Sequence, residues 1–285
     1  MPARAFGYAP AMDAWRSRQG PLLYAHRGAP LEQPENSLPG FAAALEIGAD
    51  ALEIDVHMTR DGHVVVAHDP DGARTAAVAR AIAACTLDEV KAWDIASGPG
   101  LGCPRRPACC IPTLDEVLAR FPDVPLNVDV KQSEPDMLAV LLRVIAAHDA
   151  QERVLLTSFS SRITRRIRAL GYAGPTGLGQ AEAVAVVFAP KRLLRLRPLR
   201  GQRLQVPLRS GLWRLDRREL VDKLHALGIA IDYWVVNDAR DAERLLEIGA
   251  DGIVTDDVRT MAELFARSAR TAGWRARHGG HPPPL

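Results

Sequence analysis

A chain of 285 residues with 47% hydrophobic and 25% charged side chains has the make-up of a soluble globular protein able to bury a full core. Its formal net charge of +2 argues against a dedicated nucleic-acid binder, which carries a strong basic excess on one face. No window holds the roughly 18 uninterrupted apolar residues of a spanning helix, and the opening MPARAFGYAPAMDAW lacks an apolar stretch of signal-peptide length, so the expected location is cytoplasmic.

Residues 1–20 read as an arm leading into a first strand, LLYAH, that ends on His26. A loop with Gly28, Pro30 and Pro34 follows, and Asn36-Ser37 is placed to cap an apolar helix, FAAALEIG, that Gly48 stops. The next strand, ALEIDV, begins within two or three residues, the short connection of a βα unit. Side chains alternate along a strand, so Glu53 and Asp55 share one face while Leu52, Ile54 and Val56 take the other. Thr59-Arg60-Asp61-Gly62 then turns the chain into a second apolar run, HVVVAH, that ends on His68; Asp-Gly is a strong hairpin signal.

Between Asp69 and Cys110 the regular period breaks down. A short helix is expected over TLDEVKAWD (Thr86–Asp94), and SGPGLGCPRRPACC is dense in Gly, Pro and Cys. The four cysteines, Cys85, Cys103, Cys109 and Cys110, match no repeated C-x2-C pair, which favours free thiols over a zinc site or a disulfide framework.

Thr113 stands three residues before Glu116, the capping-box spacing, so a helix begins there. In the strand LNVDVK, Asn127, Asp129 and Lys131 share one face. Helix and strand patterns then alternate to the closing ADGIVTD, with a short fifth strand near Thr176 to Leu178. Eight strands with helices between them predict an α/β fold, a (β/α)8 TIM barrel over residues 21–270, ahead of a tail, 271–285, that reads as disordered. LEIGAD occurs at Leu45–Asp50 and again at Leu246–Asp251, each time at a helix end entering a strand, which supports the same architecture. The basic stretch Lys191–Arg203 suggests membrane contact, but such runs are mostly solvated faces, and that reading is the less favoured. The pattern leaves the oligomeric state open.

In such a barrel active sites form at the C-terminal strand ends. His26, Glu53 with Asp55, His68, Asp129 with Lys131, Ser158 with Phe159, and Trp234 with Asn237 all fall there. Two carboxylates on one face are a hard oxygen site suited to Mg2+ or Ca2+, and a cation so held polarises a phosphoryl group and lowers the pKa of an attacking hydroxyl. Two histidines, with ordinary pKa values of about 6.5, serve as base and acid. Taken singly, a strand E-x-D is more often a solvated edge and a strand-end His a structural residue. Their combination points to a phosphodiesterase site.

The ordered set HRG (His26–Gly28), PEN (Pro34–Asn36), GADALEID (Gly48–Asp55), DG (Asp61, Gly62) and HD (His68, Asp69) resembles the glycerophosphodiester phosphodiesterase family. The resemblance implies metal-dependent hydrolysis of small glycerophosphodiesters to glycerol 3-phosphate and an alcohol. It implies attack by the glycerol 2-hydroxyl, giving a cyclic phosphate that water opens. One divalent cation is implied on Glu53, Asp55 and Asp129; the last is Glu in most of the family, one methylene longer. Arg27 and Lys131 are implied on the phosphate, His26 and His68 as the acid–base pair, and Phe159 and Trp234 beside the substrate, although a core role suits Trp234 nearly as well. Residues 71–111 are implied to fold as a small cap beside the mouth. Two rivals stand: a lysophospholipase D, whose substrate keeps an acyl chain, and a barrel that binds phosphodiesters without catalysis. The second predicts a lost His or acidic ligand, and none is missing.

Overall fold

A computed structural model describes Trp15 and residues 20–99, 108–194 and 199–277. Seven strands pair in parallel in the order Val154–Thr157, Leu126–Val130, Ala51–Met58, Leu22–His26, Gly252–Thr255, Ala230–Tyr233 and Arg203–Val206. Thr176 bridges Leu156 and Gly177 bridges Arg203, both in parallel, so an eighth stave only two residues long closes the ring. Helices follow the staves on the outside, from Leu38–Ile47 to Val258–Arg277. The expected (β/α)8 barrel is the fold found.

Period-two alternation sorts the strand residues between two cores. Leu23, Ala25, Leu52, Ile54, Val56, Leu126 and Val128 face outward and are fully buried beneath the helices. Inside the barrel, Leu22, Tyr24, Ala51, Leu155 and Val254 pack with Trp15, which plugs the end away from the C-terminal strand ends. Beside them lies a polar layer: Arg203 forks onto Asp232, Asn127 donates to Gln205 at 3.1 Å, and Thr157 donates to Asn127 at 3.2 Å. Removing one partner of a buried pair such as Arg203–Asp232 costs about 3–5 kcal/mol, because the other charge stays behind in low dielectric.

Local chemistry sets the element ends as expected. Ser37 accepts from Gly40 N–H to start the first helix, and Thr113 and Glu116 cap each other reciprocally. The two LEIGAD copies do the same work. In each, a glycine at positive φ (118° at Gly48, 96° at Gly249) ends the helix, and the aspartate then bonds the strand before it. Asp50 accepts from Leu23 N–H at 2.9 Å, and Asp251 accepts from Ile231 N–H at 2.8 Å.

The described part of the insertion has its own small core of Ile82, Cys85, Val90, Trp93, Ile95 and Ile111. Asp71–Gly72 pairs with Val78–Ala81, and Thr86 caps the helix Leu87–Lys91. Cys85, Cys109 and Cys110 are free thiols; Cys103 lies outside the described residues. The last helix runs on through Arg277, so 271–277 belong to it, and the remainder of the expected tail lies outside the described residues, as does most of the N-terminal arm. Among the described residues, no helix is long and apolar enough to cross a membrane.

Candidate active site

Strand register assembles the site. His26 is the lateral neighbour of Glu53, and Asp55 that of Asp129, all facing inward at the C-terminal end of the barrel. Ala51–Met58 overshoots its neighbours and pairs antiparallel with Val64–Val66 through the expected Asp-Gly turn. The returning chain is tied down where Ala67 N–H donates to Asp55 O at 2.9 Å, which brings His68 back to the level of the carboxylates. The strand itself stops two residues short of His68. Asp61 stays at the turn, accepting from Thr59 and from Leu87 N–H, so this part of the motif anchors the insertion and takes no part in the site.

Each histidine is held through Nδ1 by a carboxylate. His26 Nδ1 lies 2.6 Å from Asp256 Oδ1, and its Nε2 looks toward Glu53 Oε2 at 3.9 Å. Asn237 donates to Asp256 and accepts from the Asp256 N–H, each at 2.9 Å. These bonds hold the Asp256 carboxyl below its usual range although burial pushes the other way. His68 Nδ1 lies 2.7 Å from Asp69 Oδ1. Asp69 is likewise depressed against its burial, by His68 and by Arg74. Beneath this pair the His57 ring is buried, and burial lowers its pKa; its Nε2 contacts His68 O at 3.2 Å.

A chain of ion pairs joins the second histidine to the first strand. Arg74 donates to Asp69 at 2.6 Å and to both Glu35 oxygens at 2.6 and 2.7 Å, and Arg27 donates to Glu35 at 3.2 Å. Arg27 sits in the left-handed region at φ 58°, with its N–H bonded to Glu53 O and its Nε 3.4 Å from Asp55 Oδ2. Asn36 donates to the same Asp55 oxygen at 3.0 Å.

Lys131 Nζ lies between Asp129 Oδ2 at 2.7 Å and Asp55 Oδ1 at 2.9 Å. The two carboxylates raise the Lys131 pKa against its burial, so the ammonium stays charged. Burial also works against Asp55, but Lys131, Arg27 and Asn36 together keep it below its ordinary value. Glu53 is pushed far up by burial and then by the charges of Asp55 and Asp129, and Asp129 is raised by burial despite Lys131. Phe159, 62% exposed, meets Trp234 edge to face at 5.5 Å, with Lys131 Nζ 5.6 Å from the Phe159 ring. All nine residues given a role from the sequence therefore stand at one mouth. Asp256, Asn237, Arg74, Glu35 and Asn36 join them without a role assigned from the sequence, although Asn237 falls at a strand end with Trp234, and Glu35, Asn36 and Asp256 lie inside quoted motifs.

Glu53, Asp55 and Asp129 are buried, and Glu53 Oε2, Asp55 Oδ1 and Asp129 Oδ1 have no hydrogen-bond partner; Asp55 Oδ1 has only its charge contact with Lys131. Buried carboxylate oxygens left unpaired are costly, and a hard cation relieves that cost. The donor set fits Mg2+ or Ca2+. Among the described residues, no three such side chains already converge at ligand distance on one point. The side chains adjoining the carboxylates would therefore have to adjust when a cation binds.

The sequence model of the glycerophosphoryl diester phosphodiesterase family matches residues 26–260. A glycerophosphodiester phosphodiesterase of Caldanaerobacter subterraneus is 31% identical over 253 residues, 86% of this chain and 98% of that protein. A lysophospholipase D of Rattus norvegicus is 27% identical, covering 85% of each chain. The solved structure of an Oleispira antarctica phosphodiesterase in complex with its product, sn-glycerol-3-phosphate, is 25% identical with a TM-score of 0.71, covering 86% of this chain and 97% of that one.

Proposed function

The chain belongs to the glycerophosphoryl diester phosphodiesterase family, enzymes that hydrolyse glycerophosphodiesters, and we propose that its own reaction combines a carboxylate-held divalent cation with a histidine pair. The observation that carries this is the meeting of two carboxylate-held histidines with three buried carboxylates, each of which keeps one oxygen without a hydrogen bond.

Glu53, Asp55 and Asp129 would hold the cation. When bound it supplies charge that polarises the phosphoryl oxygen and makes the attacking hydroxyl more acidic. Arg27 and Lys131, both at the carboxylate cluster, offset the charge of the phosphodiester. The glycerol 2-hydroxyl attacks phosphorus, one histidine taking its proton. The bond to the alcohol breaks, and the other histidine protonates the departing oxygen. Water then opens the cyclic phosphate with the roles reversed, releasing glycerol 3-phosphate. Nδ1 of each ring is already engaged by a carboxylate, so Nε2 is the atom left to exchange protons. Phe159 and Trp234 form an apolar edge for the alcohol or for glycerol carbons.

The test follows glycerophosphocholine turnover by 31P NMR in wild type, His26→Ala and His68→Ala. A transient cyclic phosphate, with both variants down by about 100-fold or more, supports the scheme. Near wild-type turnover by His68→Ala removes the pair from it. A lysophospholipid substrate is the second reading, favoured by the open aromatic edge at Phe159 and by the likeness to the rat lysophospholipase D.

A further inference from the structure

Between Glu182 and Asp216 the chain has eight Lys or Arg residues and no Asp or Glu, although the charges of the whole chain nearly cancel at +2. Arg203 is neutralised by Asp232 inside the barrel and Arg214 by Asp216. Lys191, Arg192 and Arg209 have no acidic partner among the described residues. The same stretch holds five of the eight large apolar side chains that are exposed among the described residues: Val184, Phe188, Leu193, Leu212 and Trp213. Single exposed apolar residues need no explanation, but a cluster rimmed by cations marks a contact surface.

The centre of this surface is an ordered hairpin. Arg209–Ser210 pairs with Trp213–Arg214, and Gly211, at φ 56°, makes the turn. Leu212 at the tip is completely exposed, and Trp213, 57% exposed, stands edge-on to Phe188 at 4.9 Å. Leu215 N–H donates to Leu208 O at 2.9 Å, and Asp216 clamps Arg214 and Arg244, so the base is fixed. The hairpin starts three residues past Val206, at the C-terminal strand end where the active site opens. Trp234 N–H donates to Val206 O at 3.1 Å, which connects the hairpin base to the Phe159–Trp234 edge.

We infer that the Leu212–Trp213 hairpin and the cationic face beside it dock on an anionic lipid bilayer. A Leu-Trp tip enters the headgroup and acyl boundary, while unpaired Arg and Lys at its flanks meet lipid phosphates. A nucleic acid would also satisfy the charge, but it gives a fully exposed leucine at a protruding tip nothing to bury against. The docking stands apart from the hydrolysis. Its consequence, that lysophospholipid reaches the mouth directly from the membrane, rests on the second reading of the function given above.

The experiment sediments the full-length protein with vesicles of phosphatidylglycerol mixed into phosphatidylcholine, with pure phosphatidylcholine vesicles, and in parallel measures binding to polyuridylate. We expect binding that requires phosphatidylglycerol, weakens with salt, and falls by about tenfold or more in Leu212→Ser/Trp213→Ser and in Arg192→Glu/Arg209→Glu. Both variants keep the wild-type rate on soluble glycerophosphocholine. No wild-type vesicle binding, undiminished binding by either variant, or a loss of polyuridylate binding in both variants that equals their loss of vesicle binding overturns the inference. Vesicle binding with the expected losses, in a protein that does not hydrolyse glycerophosphocholine, supports the docking and counts against the proposed function alone.

Discussion

Asp256 Oδ1 and His26 Nδ1 meet at 2.6 Å across 230 positions of sequence, joining the last barrel strand to the first. The carboxylate fixes the tautomer of His26, so Nε2 faces Glu53 and the mouth. Asp256→Asn can present an amide N–H instead and reverse the tautomer. We expect kcat to fall by about 10^2 to 10^4 with KM changed far less. Melting temperature should fall only modestly: the variant loses the charge-assisted bonds from His26 and Asn237 that hold the carboxyl down, but the side chain is 30% exposed and bears no core packing. Steady-state kinetics with glycerophosphocholine and a thermal melt check this; activity within about twofold of wild type would remove Asp256 from the account.

Arg74, in the insertion, grips both Asp69 and Glu35, and through them His68 and Arg27. Its planar fork makes three bonds that a lysine cannot reproduce. Arg74→Ala is expected to lower kcat by about 10- to 100-fold, and Arg74→Lys to recover only part of that loss. Equal activity in the lysine variant and wild type would show that charge alone suffices.

Asp216 ties the hairpin to the helix Ala239–Glu247. Burial raises its pKa, but the guanidinium groups of Arg214 and Arg244 more than compensate and hold it below the usual carboxylate range. A carboxyl depressed on folding adds stability above its unfolded pKa of about 3.9, and that stability is lost as pH falls through the folded value. Asp216→Asn should therefore unfold more easily at pH 7, by about 1 kcal/mol because both arginines are partly in water. The gap should close as pH falls below about 4. Urea midpoints across that range test it, and a gap independent of pH would assign the effect to packing.

Alternation and end chemistry made most of the barrel readable from sequence. Because strands alternate, Glu53 and Asp55 share a face on one strand and Asp129 and Lys131 on another, and Ser37, Gly48 and Thr113 are legible because caps have local signatures. The fifth stave, expected near Thr176 to Leu178 from the alternation of helices and strands, is found at Thr176–Gly177, too short to carry a periodic pattern of its own. Arg74 meets Glu35 across 39 positions, a contact that no local spacing encodes. The role of Asp256 was equally hidden, since its motif marks the end of a strand while its partner lies at the other end of the chain. Lys131 was expected to face phosphate and stands between two acidic side chains. Alternation gave its face correctly but could not give the contact.

Release of glycerol 3-phosphate from glycerophosphocholine by chelator-stripped protein, with Mg2+ or Ca2+ returned and Glu53→Gln beside it, tests the central claim most directly. The buried carboxylates of Glu53, Asp55 and Asp129, each with one oxygen that has no hydrogen bond, predict no release without a cation, recovery when one is added, and no recovery in the variant. Full activity in the stripped protein, or a variant that recovers like wild type, would contradict it.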